Sequence, residues 1–189
     1  MAAGPADDHV DNGDDVDNGD VDNGDDDNGD DVDRIVRAWQ RERADLDVGP
    51  LHILSRLTRL ARQLDLARGA AFDRHGLEVW EFDVLAALRR AGAPYQLSPG
   101  ALVQETLVTS GTMTNRVDRL VLRGLVGRSA DPHDRRGVIV TLTDAGRAVA
   151  DAALSDLLTR ERAVLAALRP EDQEQLATSL RRLLASFES

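Results

Sequence analysis

The sequence predicts a mainly α-helical fold that carries one two-stranded β-hairpin and ends in helices with apolar surface to spare. Three observations predict it. Apolar residues recur at three- and four-residue spacing along several stretches separated by Gly and Pro, as in helices with one buried stripe. Between residues 125 and 142, two short runs of strand character flank the charged turn Asp131-Pro132-His133-Asp134-Arg135-Arg136-Gly137. Leu176, Leu180, Leu183 and Leu184, with the leucines of the preceding helix, give more apolar surface than one small domain buries.

Composition divides the chain. The 189 residues carry a net charge of −11, which taken whole opposes any phosphate-rich partner. Residues 1–33 hold 14 Asp and no Arg or Lys, whereas residues 34–189 hold 23 basic residues against 20 acidic ones, a net of +3. An acidic tail is therefore joined to a mildly basic domain. All the basic residues are Arg, the better bidentate partner for phosphate and guanine. Cys is absent, so disulfides and thiol redox sensing are excluded. No apolar run approaches the ~20 residues of a membrane span, and the acidic start is unlike a secretion signal. The expectation is a cytoplasmic protein.

The tail repeats Asp-Asn-Gly at 11–13, 17–19, 22–24 and 27–29. Its apolar content is too low to offset the entropy of ordering, which predicts disorder over residues 1–33. A calcium loop needs oxygen ligands flanking a central Gly and a bidentate Glu at its end. Aligned on Gly19, the third position is Val16 and the last is Asp25; aligned on Gly24 or Gly29, the first position is itself Gly. The repeat reads as a solvated tail rather than a metal site.

The elements follow in order. Residues 34–44 form a first helix with Ile35, Val36 and Trp39, broken by Asp47-Val48-Gly49-Pro50. Pro50 starts a long helix to residue 74, with Ile53, Leu57, Leu60 and Leu64 at helical spacing, and His75-Gly76 ends it. Residues 78–90 form a third helix striped by Trp80, Val84, Leu85 and Leu88. Ser98 caps a short helix with Pro99 at its first position, running to about residue 108. Thr109 or Ser110 caps the next, which runs to Arg123 and is closed by Gly124. Its predicted buried stripe is Met113, Val117, Leu120 and Val121; Thr112, Asn115, Arg116, Arg119 and Arg123 follow the opposite, polar track. Strands are expected at 125–129 and 138–142. Thr143 then caps a helix to about residue 168, and a last helix spans 171–187.

A polar-faced helix followed by an arginine-tipped hairpin is the outline of a winged helix-turn-helix with a two-stranded β wing, here over residues 78–142. Such a unit holds DNA by a helix in the major groove and an arm beside it. The helices at 34–75 and 143–189 are expected to form a homodimerisation region.

At these residues the chain resembles the MarR family of transcription regulators. The resemblance covers residues 34–189. It is carried by Ser110-Gly111-Thr112-Met113-Thr114-Asn115-Arg116-Val117-Asp118-Arg119-Leu120, by Arg123-Gly124-Leu125-Val126, by the wing, and by Leu142-Thr143-Asp144-Ala145-Gly146. It implies a dimer on a pseudo-palindromic double-stranded operator, usually a repressor released by a small ligand. Thr112, Asn115 and Arg119 are then expected to face the groove, and Ser110 and Thr114 to meet phosphate. Arg135 takes the place of the wing-tip arginine in the minor groove, and Arg136 that of the arginine paired with Asp134.

The chain further resembles the urate-responsive, PecS-like branch at four separated positions: Trp39, Asp83, Arg116 and Arg128. Urate is a planar anion, and a site for it needs a flat apolar face, cationic donors and a polar group reading the ring edge. The resemblance gives Trp39 the stacking role, Arg116 and Arg128 the charge, and Asp83 the ring N–H groups. Each has a second reading, as a packing anchor, an Arg-paired carboxylate, a phosphate contact or a solvated strand residue. A different anionic or phenolic ligand is the alternative effector, and activation is the alternative to repression.

Two other classes compete. An enzyme is not expected, because His9, His52, His75 and His133 are scattered without zinc spacing and no nucleophile–base grouping or phosphate loop occurs. No cofactor is expected either. A protein-interaction module acting through the acidic tail is the remaining alternative.

Overall fold

The computed structural model describes residues 29–132 and 137–187. The chain divides into two compact units, with the boundary after Arg56.

In the first unit, α1 (Asp31–Glu42) starts three residues earlier than the expected Arg34. The cause is local chemistry. The Asp30 side chain accepts from the backbone N–H groups of Val32 and Asp33, and the Asp33 side chain accepts from the N–H of Asp30, a reciprocal capping box. Arg56, on the first turns of α2 (Leu51–Asp73), then grips both carboxylates, at 2.8 and 2.9 Å on Asp30 and 2.8 Å on Asp33. The last residues of the acidic segment thus cap a helix. Gly49 N–H donates to Asp47 Oδ1 at 2.9 Å in the turn before α2.

The second unit holds the rest of α2, then α3 (Val79–Arg90), β1 (Gln96–Leu97), α4 (Pro99–Thr106), α5 (Ser110–Leu122), β2 (Val126–Ala130), β3 (Val138–Leu142), α6 (Asp144–Leu165) and α7 (Pro170–Ala185). The expected hairpin is present, with Val126 opposite Leu142 and Ala130 opposite Val138. Sequence reading missed β1. It adds Gln96 and Leu97 opposite Thr141 and Val140, so the sheet is three-stranded and antiparallel, in the order β1-β3-β2. Two residues are too short for a period of alternation to register.

Leu85, Leu88, Leu102, Met113, Leu120 and Val140 are fully buried in one core that joins α3, α4, α5 and the sheet. Phe72 at the end of α2 stacks on Phe82 of α3 with ring centroids 4.1 Å apart. Val121 departs from expectation. It is 39% exposed, because the stripe set by Met113, Val117 and Leu120 leaves it at the edge. Gly146, in the first turn of α6, lies against the Leu125 carbonyl, where a Cβ would collide with backbone. None of α7 is buried, and Leu176, Leu183 and Leu184 are exposed along it.

Candidate nucleic-acid interface

Two capped helices build the helix-turn-helix. Ser98 caps α4 by accepting from Ala101 N–H at 3.2 Å, and Pro99 stands at the first position. Leu107 then takes a left-handed conformation (φ 53°) that ends α4. Thr109 caps α5: its hydroxyl accepts from Thr112 N–H at 3.4 Å and lies 2.9 Å from the Thr112 hydroxyl. Gly124 (φ 70°) turns the chain out of α5 toward β2.

Met113, Val117 and Leu120 anchor α5 in the core, so its opposite face is turned outward. Thr112, Asn115 and Arg119 are exposed on that face, and Ser110 and Thr114 are exposed at the N-terminal end of the helix. Thr114 donates its hydroxyl to the Ser110 carbonyl at 3.2 Å. The result is a helix N-terminus with exposed hydroxyls and an exposed amide at one end, and arginines further along. Backbone N–H groups and the helix dipole favour an anion at that N-terminus.

The arginines of α5 are not free. Arg119 ion-pairs with Glu78, the residue that caps α3, and its guanidinium lies 4.7 Å from the ring centre of Trp80. Arg116 lies 5.3 Å from the same ring. The Trp80 indole N–H donates to the other oxygen of Glu78 at 2.6 Å. That N–H, and then the Arg119 guanidinium, hold the Glu78 carboxyl below its ordinary pKa. Arg123 pairs with Glu81, which is 1% exposed, and donates to the Gly76 carbonyl at 2.8 Å. The remaining oxygen of Glu81, Oε1, is buried without a hydrogen-bond partner.

Glu78, Trp80 and Glu81 were missed as functional neighbours by sequence reasoning, which saw Trp80 only as part of an apolar stripe. A signal existed. Two acids three apart at the start of α3 face two arginines four apart at the end of α5, each spacing being one helical turn.

The effector candidates each have their own neighbours. Asp83 of α3 accepts from Arg68 of α2 at 3.4 Å. Arg128 of β2 pairs with Asp118 of α5 at 2.9 Å. Arg116 is half-buried against Trp80. Trp39 belongs to the first unit and is 49% exposed on α1. The wing-tip residues Asp134, Arg135 and Arg136 lie outside the described residues. Among the described residues, no cluster of His, Asp and Glu could hold a metal ion, and no helix is long and apolar enough to cross a membrane.

Comparison with known proteins places this arrangement. The MarR family model matches residues 75–137, from the end of α2 to the start of β3. The transcriptional regulator PecS of Dickeya dadantii is 37% identical over 152 residues, covering 80% of this chain and 92% of PecS. The transcriptional repressor NicR of Pseudomonas putida is 31% identical over 150 residues, covering 77% of this chain and 93% of NicR. A crystal structure of Sco3205, a MarR family regulator from Streptomyces coelicolor in complex with DNA, shares the fold at a TM-score of 0.66 and 23% identity. It covers 75% of this chain and 93% of that one. The chain belongs to the MarR family of transcription regulators, which are not enzymes, and resembles the PecS-like branch of that family.

Proposed function

We propose that this protein is a cytoplasmic, sequence-specific DNA-binding regulator that sits on a pseudo-palindromic operator as a homodimer. It acts as a repressor released by a small planar anion of the urate type. The observation that carries the DNA reading is α5, where Thr112 and Asn115 are exposed on the outward face, and Ser110 and Thr114 at the capped N-terminal end, next to the β2–β3 hairpin. Thr112, Asn115 and Arg119 read the groove, Ser110 and Thr114 take phosphate, and Arg135 and Arg136 are the further DNA contacts of this reading. That Sco3205 was crystallised on DNA, and that NicR is named a repressor, supports this reading.

The dimer reading draws support from the exposed leucines of α7 and from Ile53 and Leu60 on α2, all at helical spacing. The effector reading draws support from the match of Trp39, Asp83, Arg116 and Arg128 to the branch pattern. Arg116 lies on the DNA-reading helix itself, so a ligand that recruits it would bind the two states of that helix with different affinity, as a switch requires.

The test is fluorescence anisotropy of the protein on DNA from upstream of its own gene, at fixed salt, with and without urate. Tight binding released by urate supports both readings. Tight binding indifferent to urate keeps the regulator and removes this effector. No binding to that DNA or to a randomised operator library overturns the DNA reading.

A further inference from the structure

The arginine that sequence reasoning assigns to DNA is already held by its own protein. We propose that Glu78 and Trp80 form a holster for Arg119, so that DNA must displace the Glu78 carboxylate to recruit that arginine into the groove and Glu78 limits operator affinity. The inference rests on the DNA-binding reading above.

The three side chains are mutually connected. One Glu78 oxygen accepts from Arg119 and the other from the Trp80 indole N–H at 2.6 Å, while the Arg119 guanidinium lies 4.7 Å from the centre of the Trp80 ring. The carboxylate neutralises the cation, the indole holds the carboxylate in place, and the aromatic face covers the guanidinium. Such an arrangement fixes a long side chain that exposure alone would leave mobile.

Exchange is feasible because the pair is wet. Arg119 and Glu78 are each more than half exposed, and an ion pair in that setting is worth little. Duplex DNA presents about one negative charge per 1.7 Å of axis, a denser anion than one carboxylate. The field of the duplex therefore wins the arginine for the groove, but each binding event breaks the Glu78 contact and leaves its negative charge facing the DNA.

The neighbouring pair makes the swap local. Glu81 and Arg123 line the same open cleft as Glu78 and Arg119. Glu81 is buried and Arg123 is also tied to the Gly76 carbonyl, so that pair is not available for exchange. It fixes the end of α5 on α3 while Arg119, one turn earlier, changes partner.

The test is a double-mutant cycle on operator affinity, with Glu78→Gln, Arg119→Ala and the double variant, each read at two salt concentrations. Gln keeps the shape of Glu78 and a carbonyl for the indole N–H, so thermal melting is expected to stay at the wild-type midpoint. Arg119→Ala is expected to weaken binding. Glu78→Gln is expected to tighten it by about two- to fivefold, an effect that shrinks at high salt. The tightening is expected to vanish when Arg119 is already Ala. Equal tightening in the Arg119→Ala background would reduce Glu78 to general repulsion and overturn the holster. So would unchanged or weaker binding by Glu78→Gln. Failure of the wild type to bind operator DNA would instead sink the underlying DNA reading, and this one with it.

Discussion

Glu81 sits at 1% exposure with a charge to satisfy, and Arg123 is the guanidinium that satisfies it. Removing the arginine leaves a buried carboxylate with the Glu78 N–H as its remaining donor. Arg123→Ala should therefore lower the unfolding free energy by about 1–3 kcal/mol, measured by urea titration. Wild-type stability in that variant would mean that water replaces the arginine at no cost. The effector candidates call for a different readout. Trp39→Phe and Asp83→Asn should keep operator affinity within about twofold of wild type while blunting release by urate. Equal loss of affinity and response would make both residues structural.

At the scale of elements, two joints carry specific risk. The first turn of α6 packs Gly146 on the Leu125 carbonyl, and the Thr143 hydroxyl accepts from Gly146 N–H at 3.0 Å to cap the helix. Gly146→Ala puts a methyl into backbone that cannot retreat without moving β2. It should cost about 1–3 kcal/mol in the same titration. A gain, as expected for Ala over Gly in an open helix, would contradict the packing. The second joint is the start of α1. The Arg56 guanidinium holds Asp30 and Asp33 below the ordinary aspartate value of 3.8. A depressed folded-state pKa contributes stability that is fully present above the unfolded value and is lost as pH falls through the folded one. The anchoring of α1 should thus be constant at neutral pH and weaken only below about pH 4. Thermal melts across the acid range should show that limb, and Arg56→Ala should flatten it.

At the scale of the whole molecule, exposed leucines need an explanation. Leu183 and Leu184 are 43% and 64% exposed on a helix with no buried residue. A second copy is the partner that the homodimer reading supplies, since a symmetric interface covers the same patch on both chains. Replacing both with Glu should yield a monomer by sedimentation velocity and lower operator affinity, because one half-site would be held without the other. A wild-type monomer at micromolar concentration would end that reading.

What the sequence alone determined about this protein is what repeats locally. The helix caps at Ser98, Thr109 and Thr143, the breaks at Pro50 and Pro170, and the strand from Val138 to Leu142 stand where propensity and turn chemistry put them. The buried stripe of α5 was legible for the same reason, save Val121 at its margin. The tertiary structure decided what depends on distant chain meeting distant chain. Strand β1 exists only because β3 offers it an edge, and the carboxylates that cap α1 are gripped by Arg56, 26 residues from Asp30. Arg119 looked like an unencumbered arginine on a polar face; Glu78, 41 residues away, holds it. Periodicity reports which face of a helix is polar, but the partner of a charged side chain is set by packing, which no local window contains.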